Sequence, residues 1–226
     1  MLSPGEYYHI YSRGVEKKNI FLEDIDFCRF LLLLMLFQAP VSIKNLNRLS
    51  KKFHQFYVQN QGLHINYVSE DLLKEIFQDR LVELTSFSLM PNHFHLLLRE
   101  LKEKGISNYM QRVGGAFAKY FNTKYEHKGH LFSAPFHAVH IDNNEYLKHL
   151  SGYIHSNISE INEWHNKAEK YPWSSYQDYL GNNRWGDFLK PDIIIEQFNS
   201  PKDYIKFVKE SWELSEEVKK SKNEEF

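Results

Sequence analysis

The segment SFSLMPNHFHLLLRE, residues 86–100, constrains the fold more than any other part of the chain. Apolar residues crowd both faces of its two halves, a pattern that is typical of strands covered by other elements. The sequence therefore predicts that HFHLLLRE is a central strand of a sheet. It also predicts that RLVELTSFSLM, residues 80–90, forms the strand before it.

The elements on either side of this segment indicate the fold class. The sequence predicts a strand over residues 6–14 and a helix over residues 24–37 before this segment. After it, the sequence predicts a helix capped by Ser107, a strand over residues 134–141 and a helix capped by Asp142 or Asn143. The order strand, helix, strand, strand, helix, strand, helix favours an α+β fold. We expect a ferredoxin-like antiparallel sheet with helices on one face.

Two additions to this core are predicted. Residues 41–80 resemble a helical insertion, and residues 182–226 a helical C-terminal extension, which leaves residues 1–181 as the main domain. Gly114 and Gly115 lie inside a predicted helix, where each costs about 1 kcal/mol relative to alanine. Their presence indicates close approach by another element or by a ligand.

Composition indicates a protein of the reducing cytoplasm with no membrane partner. The single cysteine, Cys28, excludes an internal disulfide framework. The start MLSPGEYYHIY has no secretory pattern, and the apolar run FLLLLMLF at residues 30–37 is too short to span a bilayer.

His93 and His95 are candidate metal ligands because side chains alternate along a strand. Both point to the same face, with Cα atoms about 6.5–7 Å apart. Bonds of about 2.1 Å from each ring can reach one divalent ion between them. The alternative, that both are ordinary satisfied histidines, stays open on this spacing alone.

The last core helix supplies a second set of candidates. His149, Tyr153 and Asn157 are four residues apart and form one polar stripe. A phenol is a weak nucleophile unless a cation or a base stabilises its phenolate, and Asn157 could complete a His/His/Asn site for Mg²⁺ or Mn²⁺. The alternative is that Tyr153 caps the core with its hydroxyl at the surface. The remaining histidines nearby are predicted not to bind metal, namely His137, His140, His149 and His155.

Several motifs, in order, resemble a known family. They are YHIYSRGVEKKNIF, SLMPNHFHLLLRE, MQRVGGAFAKYFNTKYEHKGHLF, FHAVHIDNNEYLKHLSGYIHSNI and YPWSSYQDYLG. The chain resembles the single-tyrosine HUH nucleases, specifically the REP-associated tyrosine transposases and their insertion-sequence relatives. The resemblance implies that His93 and His95 are metal ligands, that Tyr153 is the nucleophile and that Asn157 is the third ligand. It also implies cleavage of hairpin-bearing single-stranded DNA through a 5′-phosphotyrosine.

Charge distribution agrees with a nucleic-acid partner. The net charge is −1, but residues 1–140 carry 17 Lys and Arg against 13 Asp and Glu. A near-neutral total can hide a basic face. The predicted phosphate contacts are Arg13, Arg112, Lys119 and Lys124. An ordinary solvated helix face is the alternative for the last three.

Two other functions remain open. A ferredoxin-like sheet can bind nucleic acid without catalysis, and a metal hydrolase could attack small phosphoesters with bound water. The sequence does not decide between a monomer and a homodimer, nor does it identify the DNA target.

Overall fold

The core of the protein is a four-stranded antiparallel sheet. The computed structural model describes residues 2–60 and 68–224. The strands are β1 (Tyr7–Arg13), β2 (Val82–Met90), β3 (His93–Glu100) and β4 (His137–Ile141), in the spatial order β2-β3-β1-β4. Each neighbouring pair is antiparallel. This is the ferredoxin-like order, which confirms the predicted fold class and places β3 inside the sheet.

Seven α-helices surround or extend the sheet within the described residues. They are α1 (Asp24–Leu36), α2 (Leu46–Asn60), α3 (Glu70–Gln78), α4 (Gly105–Lys124), α5 (Asn144–Ser156), α6 (Asp192–Ile195) and α7 (Pro201–Glu224). Short 3₁₀ turns connect α5 to α6. No described helix is long and apolar enough to cross a membrane.

One face of the sheet is apolar and packs against α1 and α4. Phe94, Leu96 and Leu98 of β3 are essentially inaccessible to solvent. The Phe30 ring of α1 lies 5.0 Å from the Phe94 ring and 5.0 Å from the Phe117 ring of α4, measured between centroids. Close aromatic packing of this kind holds the two helices on the sheet.

The opposite face carries the polar side chains, and α5 packs against part of it. Tyr153 of α5 lies beside His95. Phe94 and Leu96, which flank His95 along β3, point to the other face, into the apolar core. Helices therefore flank the sheet on both faces, whereas the sequence predicted them on one. The prediction was wrong in this detail because strand alternation cannot tell which helix crosses to the other side.

The predicted insertion contains α2 and α3, although residues 61–67 lie outside the described part of the chain. The C-terminal extension is helical as predicted, and its last helix, α7, packs along α5. A Cβ at Gly152 of α5 would come within 2.7 Å of both the Phe207 ring and the Ser211 hydroxyl of α7. Glycine at this position allows the two helices to approach closely.

Gly114 and Gly115 do not have this role. A Cβ at either position would meet no atom within 4 Å among the described residues, so the predicted close approach by another element was wrong there, whereas approach by a ligand stays a prediction. Propensity alone cannot say which glycine lies at a helix crossing, because the partner of α5 comes from residues far along the chain.

Helix starts were predicted with mixed success. Asn143 caps α5, since its side-chain oxygen accepts a 2.8 Å hydrogen bond from the Tyr146 amide. Ser107 does not cap α4, which already begins at Gly105 after Lys104 in a left-handed conformation with φ of 58°. A Cβ at Gly105 would meet the Leu81 carbonyl oxygen at 2.3 Å, so the chain enters α4 against β2.

Candidate active site

β3 places the two candidate ligands side by side on the polar face of the sheet. His93 and His95 are 8% and 7% exposed, so each ring is largely buried but still reaches a cleft. Their ring centroids are 5.1 Å apart, and the ring planes are almost perpendicular. The two imidazoles are thus close enough to share an ion, as the alternation of the strand predicted.

The Nδ1 atom of each imidazole is already engaged by the protein. His93 Nδ1 lies 2.6 Å from Asn92 Oδ1, and His95 Nδ1 lies 2.8 Å from His9 Nε2. His9 comes from β1, the strand next to β3. In each ring, Nε2 is therefore the nitrogen that remains available to a metal ion.

Burial keeps these rings neutral. It lowers the pKa of His9 and of His93 to about 4, and holds the pKa of His95 well below its usual range. A neutral imidazole has one unprotonated nitrogen with a free electron pair, which is the form that binds metals.

Helix α5 brings Tyr153 to the same place. Its side chain is 40% exposed, and its ring centroid lies 5.6 Å from that of His95 and 6.1 Å from that of His9. The tyrosine thus projects into the cleft beside the histidine pair of its own chain. Its ring plane is nearly perpendicular to those of both imidazoles.

Asn157 follows Tyr153 by one helical turn, at the C-terminal end of α5. The residue is 5% exposed, lines the cleft, and its buried Nδ2 atom has no hydrogen-bond partner. A buried N–H donor without a partner normally costs free energy, so Nδ2 is suited to an acceptor on a ligand in the cleft, such as a phosphate oxygen. No group of three or more His, Cys, Asp or Glu residues within the described chain could hold a metal by itself. Two imidazole nitrogens and one amide oxygen are nevertheless a chemically reasonable donor set for Mn²⁺ or Mg²⁺.

The cleft is large enough for more than an ion. Its volume is about 730 Å³. The Tyr11 and His137 rings, which also line it, stack 5.0 Å apart and 20° from parallel. Arg13, from the end of β1, and Glu160 also line it. A nucleotide could therefore enter beside Tyr153, with aromatic faces and one guanidinium available.

The four predicted phosphate contacts are not grouped around this cleft. Arg13 lines the cleft. Lys119 lies exposed on α4, and Lys124 forms ion pairs with Glu23 at 3.1 Å and with the buried Asp26 at 2.8 Å. The guanidinium of Arg112 donates hydrogen bonds to the carbonyl oxygens of the chain that follows α1, namely those of Phe37, Ala39 and Val41. Their contact with DNA stays a prediction. Lys124 also holds α4 against the start of α1, and Arg112 holds it against the chain that follows the end of α1.

Because of these contacts, substitutions of Arg112 and of Arg13 are expected to have different effects. We expect Arg112→Ala to lower the free energy of unfolding by about 2–4 kcal/mol, because three buried carbonyl groups lose a charged donor. Arg13→Ala should leave stability within about 0.5 kcal/mol and weaken binding of single-stranded DNA, with a shallower dependence on salt. Urea unfolding and fluorescence anisotropy at several salt concentrations measure the two effects. Equal losses of DNA affinity with unchanged stability in both variants would contradict this assignment.

The predicted non-ligands lie around the site but have other partners. His140 pairs with Glu6 and His149 with Glu145, while His137 stacks on Tyr11. His155 is fully buried and hydrogen-bonded to Tyr204 and Ser175. Their absence from the metal site stays a prediction.

Sequence reasoning missed His9 and Asn92. Strand alternation in YYHIYSR places His9 on the same face as Tyr11 and Arg13. That pattern could have indicated a third histidine near the site, but only with the register between β1 and β3. In that register Tyr11 pairs with His95, so His9 lies one diagonal step away.

Comparisons with known proteins show which families the chain is similar to. Residues 54–157, which include His93, His95, Tyr153 and Asn157, match the family model described as "Transposase IS200 like". A solved structure of a REP-associated tyrosine transposase bound to a REP hairpin is similar with a TM-score of 0.53 and 12% identity. The match covers 85% of this chain and 90% of that one. No curated protein matches the chain.

These matches confirm the predicted family resemblance. The chain is similar to the IS200-like and REP-associated tyrosine transposases, a class of protein that cleaves and joins DNA. The solved structure supports the fold, and the family model covers the segment that carries the candidate nucleophile and ligands.

Proposed function

We propose that the protein is a metal-dependent endonuclease and strand transferase acting on single-stranded DNA through a 5′-phosphotyrosine. The observation that carries this proposal is the position of Tyr153, exposed in a cleft and 5.6 Å from the ring of His95. A tyrosine that served only to cover the core would not need two imidazoles with free Nε2 atoms beside it.

In the proposed reaction, Tyr153 attacks the scissile phosphate in line. A bond forms between its phenolic oxygen and phosphorus, and the bond from phosphorus to the 3′ oxygen breaks. The phenol gives up its proton as the new bond forms, and the leaving 3′ oxygen takes up a proton and becomes a free 3′-OH. That hydroxyl, or one from another strand, can reverse the step, so cleavage conserves bond energy and permits joining.

The donor set would support this chemistry by holding Mg²⁺ or Mn²⁺ through His93, His95 and Asn157. A bound divalent ion supplies charge stabilisation at a non-bridging phosphate oxygen. These residues would hold the ion in place, and α5 fixes the spacing between Asn157 and Tyr153 because they lie one turn apart. The same arrangement supports attack in cis, since both sets of residues come from one chain.

The proposed DNA substrate bears a hairpin, as does the DNA in the similar solved structure. The aromatic faces of Tyr11 and His137 could stack unpaired bases near the nucleophile. Arg13 could contact a phosphate in the same cleft.

We also propose that residues 1–181 carry the reaction and that residues 182–226 support it. Helix α7 packs on α5 and buries Tyr204 against His155. The extension would thus hold the tyrosine helix from behind, away from the DNA.

The two alternative functions make different demands on the site. A binding module without catalysis would bind DNA equally well in EDTA and form no covalent adduct. A water-activating hydrolase would turn over a generic phosphodiester without Tyr153. The exposed tyrosine beside the two histidines favours the transferase.

Substitution of a metal ligand tests the proposal. We expect His93→Ala to abolish cleavage of a hairpin-bearing oligonucleotide in Mn²⁺, because one of the two imidazole ligands is lost. Circular dichroism should show an intact fold. Wild type should be equally inactive in EDTA, and His140→Ala serves as the matched control. Cleavage by His93→Ala at the wild-type rate would contradict the proposed site.

A further inference from the structure

The side chains behind the two candidate ligands determine which nitrogen each ligand offers. Histidine binds a metal through an unprotonated nitrogen, and the hydrogen bond of the other ring nitrogen decides which one that is. For both His93 and His95 the Nδ1 atom already faces a protein group, at 2.6 Å and 2.8 Å respectively. The common feature is that each partner can accept a hydrogen bond.

The two partners differ in how firmly they accept. Asn92 Oδ1 can only accept a hydrogen bond, and the Asn92 side chain is held by its Nδ2, which donates to the Lys17 carbonyl at 3.0 Å. His9 Nε2 can accept or donate, depending on where the His9 proton lies. The position of the His9 proton therefore determines which ring nitrogen of His95 is protonated. Asn92 Oδ1, in contrast, can only accept the proton of His93 Nδ1.

We propose that His9 is a positioning residue that accepts the Nδ1 proton of His95 and thereby keeps His95 Nε2 free for the metal ion. This inference rests on the proposed function. The geometry supports it in two ways: the Nε2 to Nδ1 distance is 2.8 Å, and the ring planes lie only 24° apart with centroids 5.1 Å apart, which suits a hydrogen bond in the ring planes. His9 is 7% exposed, so water cannot readily replace it as the acceptor.

His9 also links the ligand to the nucleophile. Its ring contacts that of Tyr11 at 4.9 Å and meets the edge of the Tyr153 ring at 6.1 Å. The residue lies between the metal ligand and the tyrosine on the same polar face. Its role is nevertheless positional, because its Nε2 atom points to His95 and not to the space between the two ligands.

The test compares two substitutions at the same position. His9→Gln places a carbonyl oxygen near the position of Nε2, so it can still accept the Nδ1 proton. His9→Leu keeps a similar volume but offers no acceptor. His140→Gln is the control. His140 is exposed, and it pairs across the strands with Tyr8, which points to the apolar face of the sheet and away from the site.

The first measurement needs neither metal nor activity. Two-bond ¹⁵N–¹H spectra of metal-free protein labelled in histidine report which nitrogen of His95 carries the proton. We expect the proton on Nδ1 in wild type, His9→Gln and His140→Gln, and a shift to Nε2 in His9→Leu. A proton on Nε2 in wild type, or on Nδ1 in the leucine variant, would overturn the inference.

The second measurement is the affinity for Mn²⁺, followed by electron paramagnetic resonance. We expect His9→Leu to weaken binding by about 10–100-fold and His9→Gln to retain it within about threefold. Equal loss in both variants would mean that His9 itself binds the metal, against the inference. If wild type binds no Mn²⁺, the metal part of the proposed function fails, while the proton position still decides the role of His9.

Discussion

Tyr153→Phe is expected to eliminate both cleavage and the covalent adduct while binding of DNA and Mn²⁺ persists. The phenolic oxygen is the atom proposed to attack phosphorus, so a ring without it cannot form the link. The side chain is 40% exposed, and phenylalanine keeps the ring edge that packs against His9 and His95. We therefore expect the free energy of unfolding to change by no more than about 1 kcal/mol.

The assay is a denaturing gel of protein incubated with a single-stranded hairpin oligonucleotide and Mn²⁺. The label is placed at the 3′ end, because a 5′-phosphotyrosine retains the fragment that carries this end. Tyr146→Phe is the matched control, since Tyr146 lies on the same helix two turns earlier, is 37% exposed and lines the same cleft. The control should form the adduct.

Each of the other outcomes would indicate a different function or a different nucleophile. Turnover without an adduct in wild type would favour a hydrolase that activates water. An adduct that survives in Tyr153→Phe would keep the reaction class but move the nucleophile to another tyrosine. Binding without turnover in wild type would favour the non-catalytic module.

The fold could be predicted from the sequence because its signals are local. The buried strand of residues 93–100, the helix over 24–36 and the capping Asn143 all follow from periodicity and side-chain chemistry within short windows. The order of these elements then limits the topology to a few arrangements. The side of the sheet that α5 covers was not predictable in this way, since it depends on contacts between distant residues.

The candidate site also combines local and long-range features. His93 with His95, and Tyr153 with Asn157, each lie within one element, so periodicity alone could indicate each pair, whereas the resemblance to a family implied that both pairs form one site. Their meeting depends on how α5 packs on the sheet. The His9 contact depends on strand register across 86 residues of sequence.

The contacts of the charged residues could not be assigned from the sequence for a related reason. A basic residue on a helix has the same appearance in sequence whether it faces a phosphate, a carboxylate or a carbonyl group. Lys124 and Arg112 have protein partners that come from the opposite ends of α1. Charge patterning therefore indicated a basic helix correctly but could not assign its contacts.

The position of α5 depends on a buried histidine that the catalytic proposal does not use. His155 has no exposed surface, and its Nδ1 atom lies 2.7 Å from the Tyr204 hydroxyl of α7. Its Nε2 atom lies 2.8 Å from the Ser175 hydroxyl and 3.0 Å from the Ser86 hydroxyl of β2. One imidazole thus joins the tyrosine helix to the sheet, to the loop over residues 171–181 and to the C-terminal extension.

His155→Leu should therefore destabilise the protein by about 3–5 kcal/mol, measured as the free energy of unfolding in urea. Leucine has a suitable volume but loses three buried hydrogen bonds, to Tyr204, Ser175 and Ser86, each worth about 0.5–1.5 kcal/mol, and the changed ring shape in a fully buried site adds to this loss. His149→Leu is the control, because His149 is exposed on the same helix and should change stability by about 0.5 kcal/mol or less. The surviving folded fraction of His155→Leu should also form the adduct more slowly, since Tyr153 precedes His155 by two residues and moves with the helix. Equal stability of the two variants would mean that apolar packing alone, through residues such as Ile154 and Ile158, holds α5 in place.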